Sequence, residues 1–230
     1  MQKTILFQIL ILIFSAAAGL NSAAAQTTGG VNRVEFFGGF SHNRVAAPYA
    51  DDDLEFLDSE FETGTAFRDT FGGTYGSNGV NFSITGNFSK WAGAKFDVST
   101  HSNSRSGSFD GLAVEQKYRL TNYLGGIQIK NNAKDGPRVK PFFHALAGVA
   151  TQKVELSGSG VPFVFDDDNV SESQTNFALA FGGGIDVKVH KRVDIRLIQF
   201  DYNPTYLKET EDRDGKFQGN FRIGFGIVIH

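Results

Sequence analysis

Cysteine is absent from this chain, which removes disulfides, thiolate nucleophiles and Cys-ligated metals from consideration. No basic excess is present either. The formal net charge is −3 and Lys and Arg do not cluster, so there is no nucleic-acid footprint. Beyond Gln26 no apolar run approaches the roughly 18 residues that a spanning helix requires, and no convincing amphipathic helix replaces it. Gly182-Gly183-Gly184 is not followed by a helix, so it reads as strand glycine rather than a phosphate cradle. The mean hydropathy of −0.20 speaks against a helical membrane protein only. Strands that alternate cancel their apolar halves against their polar ones in any average.

The one long apolar stretch lies at the start. Lys3 supplies a positive region, Ile5 to Ala18 is apolar apart from Gln8 and Ser15, and small residues run up to Ala23-Ala24-Ala25. At about 14 residues it is too short to span, so residues 1–25 are expected to be a cleaved export signal and residues 26–230 the mature domain.

What the mature chain has in quantity is period-two alternation. In Val80 to Phe88, Val, Phe, Ile and Phe share one face, and Asn, Ser, Thr and Asn share the other. Ala92, Ala94, Phe96 and Val98 then alternate with Gly93, Lys95, Asp97 and Ser99, which makes the two runs a hairpin about Ser89-Lys90. The pattern recurs from Phe177 to Val189 and from Val193 to Leu197, and its parity slips near Ile198, which marks a bulge. Phe221, Ile223, Phe225, Ile227 and Ile229 close the chain on one parity, with Arg222 on the other. Eight strands are expected, near 33–45, 78–89, 91–101, 115–130, 139–154, 174–189, 193–203 and 218–230, Pro141 being tolerable because it sits near a strand start. Connections at 89–90, 131–138 and 190–192 are short, and those at 46–77, 102–114, 155–173 and 204–217 are long.

Long connections at one end and short ones at the other are the mark of an eight-stranded antiparallel up-and-down transmembrane β-barrel, with both termini and the short turns in the periplasm. A secreted sandwich is the competing fold. The charges favour the barrel: Glu35, Lys95, Asp97, Asp186, Lys188, Asp194, Arg196 and Arg222 all lie opposite the bulky apolar set, mixed with Gly and Ala, as a crowded lumen demands. These eight form the expected lumen charge network, with Arg222 paired to Glu35 or Asp194.

The runs VEFFGGFSHNRV at 34–45, VKPFFHALAGVA at 139–150 and IRLIQFDYNPTY at 195–206, taken in order after the signal, resemble the small outer-membrane β-barrel family of OmpA-like and OmpX-like, porin-family proteins. The resemblance implies a Gram-negative outer-membrane location, outer-membrane lipid and lipopolysaccharide as surroundings, and the barrel-assembly machinery as a folding partner. A monomer is expected, with no nucleic acid.

Chemistry is thinly represented. His101 with Ser102 or Ser104 is the local candidate for a lipid-hydrolysing pair, and His144 is the one mid-strand histidine; without a third positioned group neither reads as catalytic. Asp51-Asp52-Asp53 and Asp166-Asp167-Asp168 offer oxygen ligands without a calcium-loop spacing, so no metal or cofactor is expected. The expected function is structural, adhesive or surface-interacting, and not enzymatic. A narrow porin for small solutes is the first alternative and an envelope lipid hydrolase the second.

Overall fold

The computed structural model describes residues 30–46, 55–56, 58–59, 62, 64–109, 112–159, 169–207 and 216–230. The export signal and the two Asp triplets lie outside these residues. The elements are β1 Val34–Ala46, α1 Ala66–Phe71, β2 Thr74–Asn87, β3 Ala92–Phe109, β4 Leu112–Lys130, β5 Val139–Ser159, β6 Asn169–His190, β7 Val193–Tyr202, β8 Thr205–Leu207, β9 Lys216–Gln218 and β10 Phe221–Ile229.

Eight of the strands form a closed antiparallel ring. Successive strands from β1 to β7 pair with their neighbours, β7 pairs with β10, and β10 returns to β1. β8 and β9 continue β7 and β10 outward past breaks at Asn203-Pro204 and Gly219-Asn220. Proline cannot donate to a ladder, and two asparagines bridge the gap. Asn203 N–H donates to the Asn220 carbonyl at 2.8 Å, and Asn220 Nδ2 donates to the Asn203 carbonyl at 3.1 Å.

The pairing also fixes the tilt. From Ser41, partners run through Gly79, His101, Leu120 and Gln152 to Gln174 on β6. The other way round, through Gly224 and Gln199, the row reaches Gly184 on the same strand. The two arrivals stand ten residues apart on β6. With strand spacings of roughly 4.8 Å and a rise of ~3.3 Å, that stagger tilts the strands by about 40°.

The expected bulge lies at Leu197-Ile198. Gly224 pairs with Gln199 and Gly226 with Arg196, so two residues of β7 stand opposite Phe225 alone. Both bulged side chains are exposed to the outside. The bulge therefore flips the inward parity from Asp194 and Arg196 to Gln199 and Asp201.

Three of the expected long connections are corrected; strands β5 and β6 stay paired out to Ser157 and Asn169, inside the loop expected over 155–173. Strands β3 and β4 stay paired out to Phe109 and Leu112, so only two residues join them where a loop over 102–114 was expected. Here Ser102, Ser104, Ser106 and Ser108 alternate with Asn103, Arg105 and Gly107. Neither face is apolar because this stretch stands beyond the apolar belt, which leaves period-two hydrophobicity nothing to mark. The connection 204–217 likewise holds β8 and β9.

Bulky side chains clothe the outside: Phe36, Phe82, Phe143, Phe200, Phe225, Ile227 and Ile229 are each more than half exposed. The buried apolar cluster, including Val45, Tyr75, Tyr118, Leu120, Leu124 and Leu146, is inside the ring. Helix α1 packs beside the β3 edge. Arg105 holds it by donating to the Thr70 carbonyl at 2.8 Å and stacking its guanidinium 3.7 Å from the Tyr75 ring.

Candidate functional site

The inward positions of this ring collect charge. Five basic side chains (Lys95, Lys130, Lys140, Arg196, Arg222) and five acidic ones (Glu35, Asp97, Asp186, Asp194, Asp201) are buried there. The balance follows from what burial demands, since an orphaned charge away from water costs several kcal/mol more than a pair.

Most contacts cross the lumen instead of joining neighbouring strands. Lys130 on β4 reaches Glu35 on β1 at 2.6 Å and Asp186 on β6 at 3.0 Å. Lys140 on β5 meets Asp194 on β7 at 2.7 Å. Arg222 on β10 reaches Asp97 on β3 at 3.0 Å and Asp201 on β7 at 2.6 Å. Lys95 lies 3.7 Å from Asp97, and His144 lies 3.0 Å from Asp201 and 3.4 Å from Lys95. Gln199 joins the lower and middle groups: Arg196 donates to its Oε1 at 2.7 Å, and its Nε2 donates to Asp201 at 2.7 Å.

Arg196 is the centre of the constriction. Its Nε and Nη2 donate to the two oxygens of Asp186 at 2.8 and 3.1 Å. Its guanidinium lies 4.2 Å from the Phe37 ring and 4.0 Å from the Phe142 ring. Phe37 is on β1 and Phe142 on β5, strands that face each other across a ring of eight. The stack Phe37–Arg196–Phe142 therefore bridges the barrel from wall to wall.

Glycine makes room for those rings. A Cβ on Gly184 would run into the Ile198 carbonyl oxygen and meet Phe142 Cε1 and Cζ at 2.9 Å, and one on Gly226 would run into the Gly38 carbonyl oxygen and meet Phe37 Cε2 at 2.8 Å. Gly184→Ala is expected to cost at least about 1–3 kcal/mol, by pushing against the β7 backbone at Ile198 as well as displacing Phe142 from Arg196. A fall in the thermal midpoint in detergent, of the size that overpacking gives, is the check; an unchanged midpoint would show that the β7 backbone and the ring both have room to move.

Seven of the eight expected network residues are in the lumen. Lys188 is not: it is partly exposed at the mouth near the short turns, where its Nζ donates to the Lys134 carbonyl at 2.7 Å. The expected partners of Arg222 are also corrected. Arg222 stands opposite Asn43 on β1, eight residues along the strand from Glu35, and opposite Asp201 on β7, whereas Asp194 faces Val228. The barrel's stagger separates groups that share a parity.

Lys130, Lys140, Asp201 and His144 belong to the network and were not among the expected residues. His101 does meet a serine, but it is Ser41, whose Oγ lies 2.7 Å from His101 Nε2 inside the lumen. Ser102 and Ser104 point outward, on the other side of the wall. His101 Nδ1 has no hydrogen-bond partner, so no third group orients the ring. Among the described residues no cluster of His, Asp and Glu has metal-binding geometry.

A closed eight-stranded ring, apolar outside and charged within, is the construction of an outer-membrane barrel. The family model for the outer membrane protein β-barrel domain matches residues 10–227. The chain belongs to that family. It is accordingly a protein of the bacterial outer membrane. No match is found among curated protein sequences. Among solved structures it is similar to Ail, the attachment invasion locus protein of Yersinia pestis, in complex with the heparin analogue sucrose octasulfate, at 18% identity and TM-score 0.46, covering 86% of this chain and 98% of that one. It is also similar to Neisserial surface protein A at 12% identity and TM-score 0.47, covering 87% and 98%. A third similar structure is OprG from Pseudomonas aeruginosa, at 11% identity and TM-score 0.44, covering 87% and 97%. The assignment rests on the family match.

Proposed function

We propose that this barrel acts at the cell surface, in a structural, adhesive or surface-interacting role, and neither conducts solutes nor hydrolyses envelope lipid. The carrying observation is the Phe37–Arg196–Phe142 stack, which joins opposite walls of the lumen with an ion-paired guanidinium at its centre. An aqueous channel needs a continuous polar path, and an eight-stranded ring has little width to spare around such a stack. Hydrolysis is disfavoured by access. Ser41 and His101 form a nucleophile–base contact, but both are about 1% exposed and no third group orients the histidine.

The connections at 88–91, 131–138 and 191–192 share one end with both barrel termini, and although the β3–β4 link at the other end is also only two residues long, this grouping supports a periplasmic reading of the first end. Residues 1–25 are then the export signal. The tips of β3 to β6 stand on the external side, clear of the apolar belt, and carry the polar faces available to partners. Outer-leaflet lipid and lipopolysaccharide surround the belt, and the assembly machinery inserts a monomer.

Planar-bilayer recording tests the closed lumen. The unmodified protein is expected to give no stable conductance steps, and Arg196→Ala, which removes the guanidinium between the rings, to give brief ones. Steady conductance from the unmodified protein would favour the narrow-porin reading instead.

A further inference from the structure

The apolar belt is lopsided. On β6 it runs from Val189 to Phe177, about 30 Å along the barrel axis at the tilt derived above. On β1 it runs from Val34 only to Phe40, and on β3 from Ala92 only to Val98, about 15 Å on each. The usual band is roughly 25 Å tall. Above the short side the outward residues are polar: His42 on β1, Asn78 on β2, Thr100 and Ser102 on β3, Arg119 and Thr121 on β4.

A groove of about 530 Å³ lies in this face, across β2, β3 and β4. Its outer end holds Arg119, Ser102 and Asn78, its middle Thr100 and Thr121, and its inner end Val80, Val98 and Tyr123. The two threonine hydroxyls lie 3.2 Å apart and line the floor. Arg119 is exposed; Glu155 acts on it electrostatically, but no carboxylate comes within ion-pair distance of it among the described residues. Its cationic neighbours differ: Lys117 lies 3.4 Å from Glu115, and Lys153 is paired with Glu155.

We propose that this groove seats a phosphorylated lipid of the outer leaflet, its phosphate on Arg119 and an acyl chain along Val98, Val80 and Tyr123. The inference rests on the orientation proposed above, which places β3 and β4 tips outside. The chemistry matches along the groove's length. A guanidinium with spare donors meets an anion, hydroxyl and amide groups meet the polar linkage, and valine and tyrosine meet hydrocarbon at the depth where the belt resumes. A second copy of the chain fits worse. A two-fold interface centred on this face would bring two like-charged arginines together, with no acidic group of the groove to separate them.

The test uses the processed full-length protein in phosphatidylcholine nanodiscs doped with bisphosphorylated lipid A or with its dephosphorylated form, and reads retained lipid by native mass spectrometry. The phosphorylated form should be retained. Arg119→Gln should weaken retention about tenfold, the effect of losing one charge-assisted contact at an exposed site. Lys117→Gln and Lys153→Gln, whose cations are already neutralised, should stay within about twofold. Equal retention of the dephosphorylated lipid, equal loss in all three variants, or displacement by inorganic phosphate at the lipid's own concentration would overturn the seat. Cross-linking of Ser102→Cys between two copies would assign the face to a dimer and overturn it too. The orientation is checked separately, in whole cells: Ser106→Cys should react with a membrane-impermeant maleimide. Reaction only after the outer membrane is opened would overturn the orientation, and with it the outer-leaflet source, even where the nanodisc retention holds.

Discussion

Replacing Arg222 with methionine should lower the stability of the detergent-folded barrel by about 3–5 kcal/mol, because two buried carboxylates lose the cation they share. Asp97 keeps Lys95 at 3.7 Å and an Asn81 amide at 2.9 Å. Asp201 keeps His144 and Gln199. Neither set restores a full positive charge at the vacated position. The pairwise character of the loss is visible in double mutants. Adding Asp201→Asn or Asp97→Asn to Arg222→Met should recover part of the midpoint, since the second change neutralises a carboxylate the first one stranded. Adding Glu35→Gln or Asp194→Asn should be additive to within about 0.5 kcal/mol, those residues belonging to Lys130 and Lys140. Coupling of Arg222 to Glu35 in excess of its coupling to Asp201 would refute the observed pairing.

That contrast shows what could be read from the chain alone. Alternation in 80–88 and 92–98 marks both the strands and their faces, because a surface facing lipid must be apolar at every second residue. The same parity places Lys95, Asp97, Asp186 and Arg222 inward. Parity carries no height, however. Height comes from the ten-residue stagger of the ring, which no local pattern displays, so Arg222 is matched on paper with Glu35 although eight residues of β1 separate their levels. Lys130 and Lys140 are hidden for another reason. They stand beside short turns, where a lysine ordinarily reads as solvated. Asp201 follows the bulge, and its inward face depends on a parity flip whose position is uncertain until the register is known. His144 shares its face with Phe142 and Leu146, since this lumen is partly apolar, and an apolar inner wall looks like an outer one. Bulge and stagger are properties of the closed ring.

Height along the barrel also governs what an arginine costs on the outer wall. At the middle of the belt, Phe225→Arg and Phe82→Arg should each cost about 2–4 kcal/mol, since both side chains are more than half exposed to lipid. Ser83, beside Phe82 but inward, is not a cheap alternative. It is buried in a filled lumen, so an arginine there must overpack the wall as well as find a partner. The discriminating pair is Phe177→Arg and Ser102→Arg. Register carries Ser102 through Arg119 and Lys153 to Ser173 on β6, and allowing for the tilt brings one level with Phe177. On a belt of even height the two substitutions would cost the same. On the lopsided belt Phe177 still meets hydrocarbon, so Phe177→Arg should cost at least 1 kcal/mol more than Ser102→Arg, on a depth scale that falls to ~0–1 kcal/mol at the interface. Equal costs would mean that the β1–β4 face is embedded as deeply as β6, leaving its polar side chains in hydrocarbon. A clear difference would set the membrane boundary at the groove, where a lipid headgroup can reach Arg119.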